Sequence, residues 1–286
     1  MGRTVIALGG NALDNGKSSI DDQIEKAGET FSRLAGIINS NDSVITYGNG
    51  PQVGEIFEKT SYPLGTCGAM SQGFLLHIIS TAYQSLKDSG ILNKSSVPVL
   101  THTVVNQNIY TLKPIGPFYD HKIDDSYAME MGKGYRKMVK SPEPVSILER
   151  DSITYLLSNG YIPIAVGGGG IPVEKTLNGY GEFEGVIDKD LSSALIGTLI
   201  SAEDLIIITD VKNVYLDFTS KTGAINKIGY SEMKDYYNKI HFEEGTIKPK
   251  ILAALQFLER GGKKVYITSI NNIETMDTGT IIENDA

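Results

Sequence analysis

The 286-residue chain carries one cysteine, Cys67, no tryptophan and four histidines. A lone thiol excludes an intramolecular disulfide framework. The histidines, His77, His102, His121 and His241, are scattered. They form no metal-ligand spacing with one another or with Cys67, so no protein-held metal is expected. No apolar run reaches the length of a membrane span. The N-terminal MGRTVIALGG lacks the cleavage site and the longer apolar core of a secretory signal. Its sixth residue, Ile6, is not the Ser or Thr of a myristoylation signal. These absences predict a cytoplasmic protein with no membrane partner. Basic charge is also short: 26 Lys and Arg against 34 Asp and Glu give a net charge of −8. That balance argues against nucleic acid, which needs a basic stripe. A pocket for a small anion stays open, because it needs only a few well-placed cations.

A P-loop is missing too, although the start of the chain imitates one. ALGGNALDNGKSS follows the β-like run RTVIAL and ends in Gly16-Lys17-Ser18. The P-loop spacing requires glycine at position 11, which is Asn11. An extra residue in so tight a loop turns its N–H groups away from the phosphate. DNGKSS therefore reads as a solvated turn, with Asn-Gly supplying positive φ. Lys17 is not a phosphate lysine on this reading.

What is present alternates. Thr4 to Leu8 and Ser43 to Tyr47 read as buried strands. Asp21 to Ile38 reads as an amphipathic helix with Ile24, Ala27, Phe31, Leu34 and Ile38 on one face. Cys67 to Leu86 reads as a long apolar helix, with Cys67 a buried small residue. Val97 to Val105 reads as strand. Between about Leu112 and Val145 the pattern breaks, with four of the ten prolines in this stretch. It reads as a small excursion or flap, with Ile115, Phe118, Tyr119, Tyr127, Tyr135 and Val139 available for a minor core. Helix over Ile147 to Leu157, strand over Ile162 to Val166 and helix over Asp190 to Ile200 follow. Strand over Asp204 to Thr209, helix over Pro249 to Arg260, and strands over Lys264 to Thr268 and Gly279 to Ile282 complete the chain. Such alternation predicts an α/β fold with a mostly parallel sheet covered on both faces.

Three glycine clusters each follow a predicted strand: Gly9-Gly10-Asn11, Gly48-Asn49-Gly50, and Gly167 to Gly170. Ligands in open α/β sheets bind beyond the carboxyl ends of the strands. Glycine there admits an anion to the backbone N–H groups, and a following helix adds its positive end. Three such ends favour a phosphate or oxyanion site. GNGPQVG also imitates a dinucleotide fingerprint, but no ribose-binding carboxylate ends a second strand about 20 residues on. That argues against a Rossmann oxidoreductase.

Cations for an anion site come from three places. In VIDKD, Asp188 reads as an ordinary helix cap. Lys189 is unusual, because a lysine at a helix start opposes the macrodipole. Two flanking aspartates are expected to orient it and keep it protonated. In GTIKPKI, Lys248 reads as a surface lysine, whereas Lys250 follows Pro249 and has a better-fixed direction. Lys113 sits in KPIGP, where the excursion opens. No activated nucleophile stands out, so direct phosphoryl transfer is the chemistry that fits.

The ordered set VIALGGNAL, YGNGPQVG, PLGTCGAMSQG, KPIGPF, GKGYRKMVKSPEPVSI, GGGGIPV, VIDKDLSSALIG, IITDVKNVY, KPKILAALQF and TSINNIE closely resembles the carbamate kinases of the amino acid kinase superfamily. The resemblance spans nearly the whole chain. It implies a three-layer α/β/α sandwich, with a mainly parallel sheet of about eight strands, as one domain over 1–286. It also implies a small protruding subdomain, or lid, at 112–145, and a homodimer. The implied reaction is reversible transfer between ATP and carbamate, giving ADP and carbamoyl phosphate, with magnesium accompanying the nucleotide. Gly9, Gly10 and Asn11 match the loop near the transferred phosphoryl group, and Gly48, Asn49 and Gly50 the loop on the carbamate side. Lys113 matches the lysine that closes over the substrate. Lys189 and Lys250 match the transition-state lysines, and Asp190 the aspartate that organises them. Thr209, Asp210 and Tyr215, with Lys250, fall on the nucleotide side. Tyr47 stands where the family commonly has histidine, and Tyr135 where it often has tryptophan. The stretch YDHKIDDSYAMEMGKG is shorter than in the family. Another small-molecule kinase of the superfamily is the nearest competitor, and KPIGPF with Lys113 discriminates against it. A non-enzymatic nucleotide sensor would not need Lys189, Asp190 and Lys250 together.

Overall fold

The computed structural model describes residues 2–13, 19–130, 134–217, 222–240, 242, 247–275 and 279–285. Asn15 to Ser18, including Lys17, and Gly245 and Thr246 of GTIKPKI lie outside these residues. The first half of the chain runs β1 (Arg3–Leu8), α1 (Ile20–Ser40), β2 (Asp42–Tyr47), α2 (Gln52–Lys59), α3 (Leu64–Asp88) and β3 (Ser96–Pro98). A long ribbon follows: β4 (His102–Tyr119), β5 (Tyr127–Glu130) and β6 (Gly134–Ile147). Next come α4 (Arg150–Ser158), β7 (Ile162–Ile164), β8 (Ile171–Thr176), β9 (Gly179–Glu182), α5 (Lys189–Leu199) and β10 (Asp204–Thr209). The chain ends with β11 (Val214–Asp217), β12 (Thr222–Ile225), β13 (Lys227–Gly229), α6 (Tyr230–Lys239), α7 (Lys248–Glu259), β14 (Lys264–Ser269) and β15 (Thr280–Glu283).

Eight strands form the main sheet in the order β13-β15-β14-β10-β1-β2-β7-β3. Its pairings are parallel except for β14 with β15. The alternation of side chains along each strand splits the core into two layers. Val5, Ala7, Leu205 and Ile207 join α5 and α7 residues such as Ala194, Ile251 and Phe257 on one face. Ile6, Leu8, Ile206 and Ile208 join Phe31 and Leu34 of α1 and Leu75 and Ile79 of α3 on the other. Each large apolar side chain fully buried in this way contributes about 1.5–3 kcal/mol. A capping box starts α1: the Asp22 N–H donates to Ser19 Oγ at 3.2 Å, and the Ser19 N–H donates to Asp22 Oδ2 at 2.9 Å. The fold is the three-layer sandwich the sequence predicts.

The second sheet, β5-β6-β4-β8-β9, departs from the expected loose excursion. It is an antiparallel ribbon joined by β8, which pairs parallel with β4 at His102 to Val104. Three of the four prolines that hide it sit beside its irregularities, while Pro114 pairs in register with Met138. Pro144 pairs with Val105 and Pro142 with Tyr110, on either side of a register shift, and Pro117 lies inside another. At such bulges a missing N–H interrupts no ladder bond. Two further boundaries need correcting. The segment expected as one strand over Val97 to Val105 is divided between sheets, because the Thr101 amide bonds to the Gln72 side chain rather than to a strand. The helix expected from Ile147 begins at Arg150, since Ile147 still pairs with Thr103 at the end of β6. The β8–β9 hairpin, the β11–β12 ribbon, β13 and α6 are absent from the sequence reading.

Candidate active site

Four neighbouring parallel strands, β10, β1, β2 and β7, end on one edge of the main sheet. Beyond those ends lie Asp210, Gly9 to Asn11, Gly48 to Gly50, and Gly167 to Gly170. The Gly9 N–H donates to the Ile208 carbonyl at 3.1 Å, and the Gly48 N–H donates to the Leu8 carbonyl at 3.1 Å. A Cβ on Gly9 would stand 2.8 Å from the Ile208 oxygen. A Cβ on Gly48 would stand 3.3 Å from Cδ of Lys189, so bare backbone lies along that lysine stem. Gly50 has φ of 56°, the region glycine enters without strain. The end of β2 thus presents backbone, not a side chain, to one lysine.

That lysine opens α5. Asp188 caps the helix, accepting the Asp190 N–H on Oδ1 at 2.9 Å. Asp190 is almost wholly buried and holds two ammonium groups. Lys189 pairs with Oδ1, and Lys250, from the first turn of α7, reaches Oδ2 at 3.1 Å. Lys113 of β4 reaches over from the second sheet to Asp188 Oδ2 at 2.8 Å. Three lysines from three distant segments therefore meet on two aspartates.

The electrostatics follow from burial and pairing. Burial opposes ionisation of Asp190, but Lys189 and Lys250 more than offset it and hold the carboxyl below its usual range. Burial also opposes ionisation of Asp188, and Lys113 leads the charges that reverse this and lower it. The lysines diverge. For Lys189, burial dominates and lowers its affinity for a proton, with Lys250 adding repulsion against the pull of Asp190. The expectation that flanking aspartates keep it protonated thus meets a larger opposing cost. For Lys250, burial is outweighed by Asp190, Asp188 and Asp210 together, and its pKa rises. This is the usual contest of desolvation against charge pairing.

The remaining predicted residues are placed as follows. Gly10 lies in a short 3-10 turn, with its Cβ position 3.7 Å from Cα of Gly50; of Asn11 only the backbone is described. Asn49 is buried, and its Oδ1 has no hydrogen-bond partner among the described residues. Thr209 Oγ1 donates to Asp210 Oδ1 at 3.1 Å at the end of β10. Tyr215 lies further along, in β11, opposite Ala224 of β12. The sequence reading gives Asp188 a cap and a place beside Lys189, but not its pairing with Lys113. Its contact with Lys113 depends on where the second sheet lies, which nothing local in VIDKD encodes.

The description "Amino acid kinase family" fits residues 2–269, and the chain belongs to that family. Within the family it sides with the carbamate kinases. It is 40% identical to the carbamate kinase of Thermoplasma acidophilum across 95% of each chain. It is 36% identical to that of Pyrococcus horikoshii, across 97% of this chain and 98% of the relative. Among solved structures, the carbamate kinase from Giardia lamblia bound to citric acid superposes with a TM-score of 0.90 at 31% identity, over 99% of both chains. A second structure of the Giardia lamblia carbamate kinase, bound to AMP-PNP, gives a TM-score of 0.86 at the same identity.

Proposed function

We propose that the protein is a carbamate kinase that interconverts ATP plus carbamate with ADP plus carbamoyl phosphate. The observation that carries this reading is Asp190 bracketed by Lys189 and Lys250 beside the glycine turns. A carbamate oxygen attacks the γ-phosphorus in line, and the bond from that phosphorus to the ADP oxygen breaks. No proton moves. The two ammonium groups and the N–H groups of Gly10 and Asn11 neutralise charge spreading over the equatorial oxygens, as phosphoryl transfer requires. Asp190 keeps the two like charges side by side. Gly48 to Gly50 hold the carbamate side, while Thr209, Asp210, Tyr215 and Lys250 flank the nucleotide. Lys113 belongs to a lid, residues 112–145, within a single domain over 1–286, and closes on the substrate from its seat on Asp188.

Both oxygens of Asp190 and both of Asp188 are already taken by protein donors. Among the described residues no group of three acidic, His or Cys side chains is placed to hold a metal. Magnesium therefore fits as a companion of the nucleotide phosphates, where it would neutralise their charge. A homodimer rests on the resemblance alone, and light scattering on the purified chain tests it; a cytoplasmic setting rests on the sequence features given above.

A coupled assay for ATP formation from ADP and carbamoyl phosphate tests the reaction. Acetyl phosphate and N-acetylglutamyl phosphate run in parallel. Carbamoyl phosphate is expected to give the highest kcat/KM, and preference for either rival overturns the substrate assignment.

A further inference from the structure

Behind the glycine turn lies a buried polar network that the transfer chemistry does not use. Val166 is fully buried and has φ of 55°. A β-branched residue occupies that region only when its surroundings impose it. Thr101 supplies the constraint. Its hydroxyl accepts the Val166 N–H at 3.0 Å and donates to the Val99 carbonyl at 2.9 Å. Thr101 is held in turn by Gln72 of α3. Gln72 Nε2 donates to the Thr101 carbonyl at 3.1 Å, and the Thr101 N–H donates to Gln72 Oε1 at 3.1 Å. Tyr47 adds a third tie, its hydroxyl donating to the Gln72 carbonyl at 3.3 Å.

The constrained residue leads straight into the turn. Gly167 lies against the Tyr47 ring, and Gly168, with φ of 59°, lies against the Asn49 amide; a Cβ on Gly168 would sit 2.0 Å from Asn49 Nδ2. The Gly169 carbonyl accepts from Thr103 Oγ1 and from Ser192 Oγ of α5, each at 2.8 Å. The turn is thus wedged between Asn49 and the helix that begins with Lys189. Asn49 Oδ1 is buried without a partner among the described residues, and such an acceptor costs free energy until a donor reaches it. Carbamate and carbamoyl phosphate carry an amino group that can donate. Acetyl phosphate has a methyl group in its place.

We infer that Thr101 is a positioning residue for substrate discrimination. By holding Val166 left-handed, it seats Gly168 against Asn49 and aims Asn49 Oδ1 at the substrate amino group. The inference rests on the carbamate kinase reading above.

Thr101→Val keeps the shape and removes the hydroxyl, whereas Thr101→Ser keeps the hydroxyl. In the full chain, T101V is expected to raise KM for carbamoyl phosphate about tenfold, with KM for ADP unchanged. The preference for carbamoyl over acetyl phosphate should fall by about the same factor. T101S should restore both. Hydrogen exchange over residues 165–170 should quicken about tenfold in T101V and return to the wild-type rate in T101S. Val166→Gly accepts the dihedral without strain and keeps the hydrogen bond to the Thr101 hydroxyl, so it should fold and leave both KM values near wild type. Equal shifts in both KM values, an unchanged preference, or wild-type exchange in T101V overturns the inference. A wild-type protein that prefers acetyl phosphate instead refutes the carbamate reading and the amino-group role together. The exchange rates then still decide whether Thr101 holds the turn.

Discussion

Lys189 and Lys250 share a carboxylate yet face opposite electrostatic outcomes. Replacing either by alanine removes a proposed transition-state donor and is expected to lower turnover by about 10²–10³-fold in a folded protein. Steady-state kinetics of Lys189→Ala check this, and near-normal kcat would remove the lysine from the mechanism. The pH dependence separates the pair. Burial lowers the Lys189 pKa, so this group loses its charge at a lower pH than an ordinary lysine. The alkaline limb of the kcat profile should therefore begin below the usual lysine range. Arginine stays protonated, so in Lys189→Arg whatever activity survives should persist to higher pH. An alkaline limb at the same pH in both proteins would assign it to another group. The oddity of Lys189 was legible in the sequence as a cation placed against a helix dipole. Its lowered proton affinity was not, because burial depends on strand ends far away in the chain.

At the scale of elements, α5 depends on one side chain with two duties. Asp188 caps the helix with one oxygen and takes Lys113 with the other. Asparagine caps as well as aspartate but offers no charge. Asp188→Asn should thus keep wild-type stability in urea while weakening apparent substrate affinity through a loosened Lys113. Asp188→Ala should lose the cap as well and about 1 kcal/mol of stability. Equal stability losses in the two variants would show that the cap is not what Asp188 supplies. Apart from β13, the main-sheet strands were legible from apolar runs, and β10 matches its expected range, Asp204–Thr209. The second sheet was not. Its strands hold prolines at bulges and expose Ile109, Tyr110 and Leu112, so β4 shows neither a continuous apolar run nor clean alternation. Its pairing partners lie as far off as Ile171 to Val173, beyond the reach of any local pattern.

On the scale of the whole molecule, the site draws on residues from Gly9 to Lys250, so it exists only when the full sheet order is made. The glycine clusters gather at one sheet edge because parallel strands all deliver their carboxyl ends to one side. The seam between the two sheets is closed by a small core of Val53, Leu64, Cys67, Ile115 and Val186. There, a Cβ on Gly54 of α2 would fall 2.2 Å from Cα of Gly116 in β4. Gly54→Ala must push α2 and β4 apart. Because Cys67 is the chain's one thiol and is fully buried in that seam, any thiol-reactive dye has a single place to go. Labelling should be slow in the native protein and about tenfold faster in Gly54→Ala, as local opening controls access. Equal rates would mean that the dye enters by another route. Scarcity of thiols thus equips the protein with its own stopwatch, in which each labelled molecule records one parting of the seam.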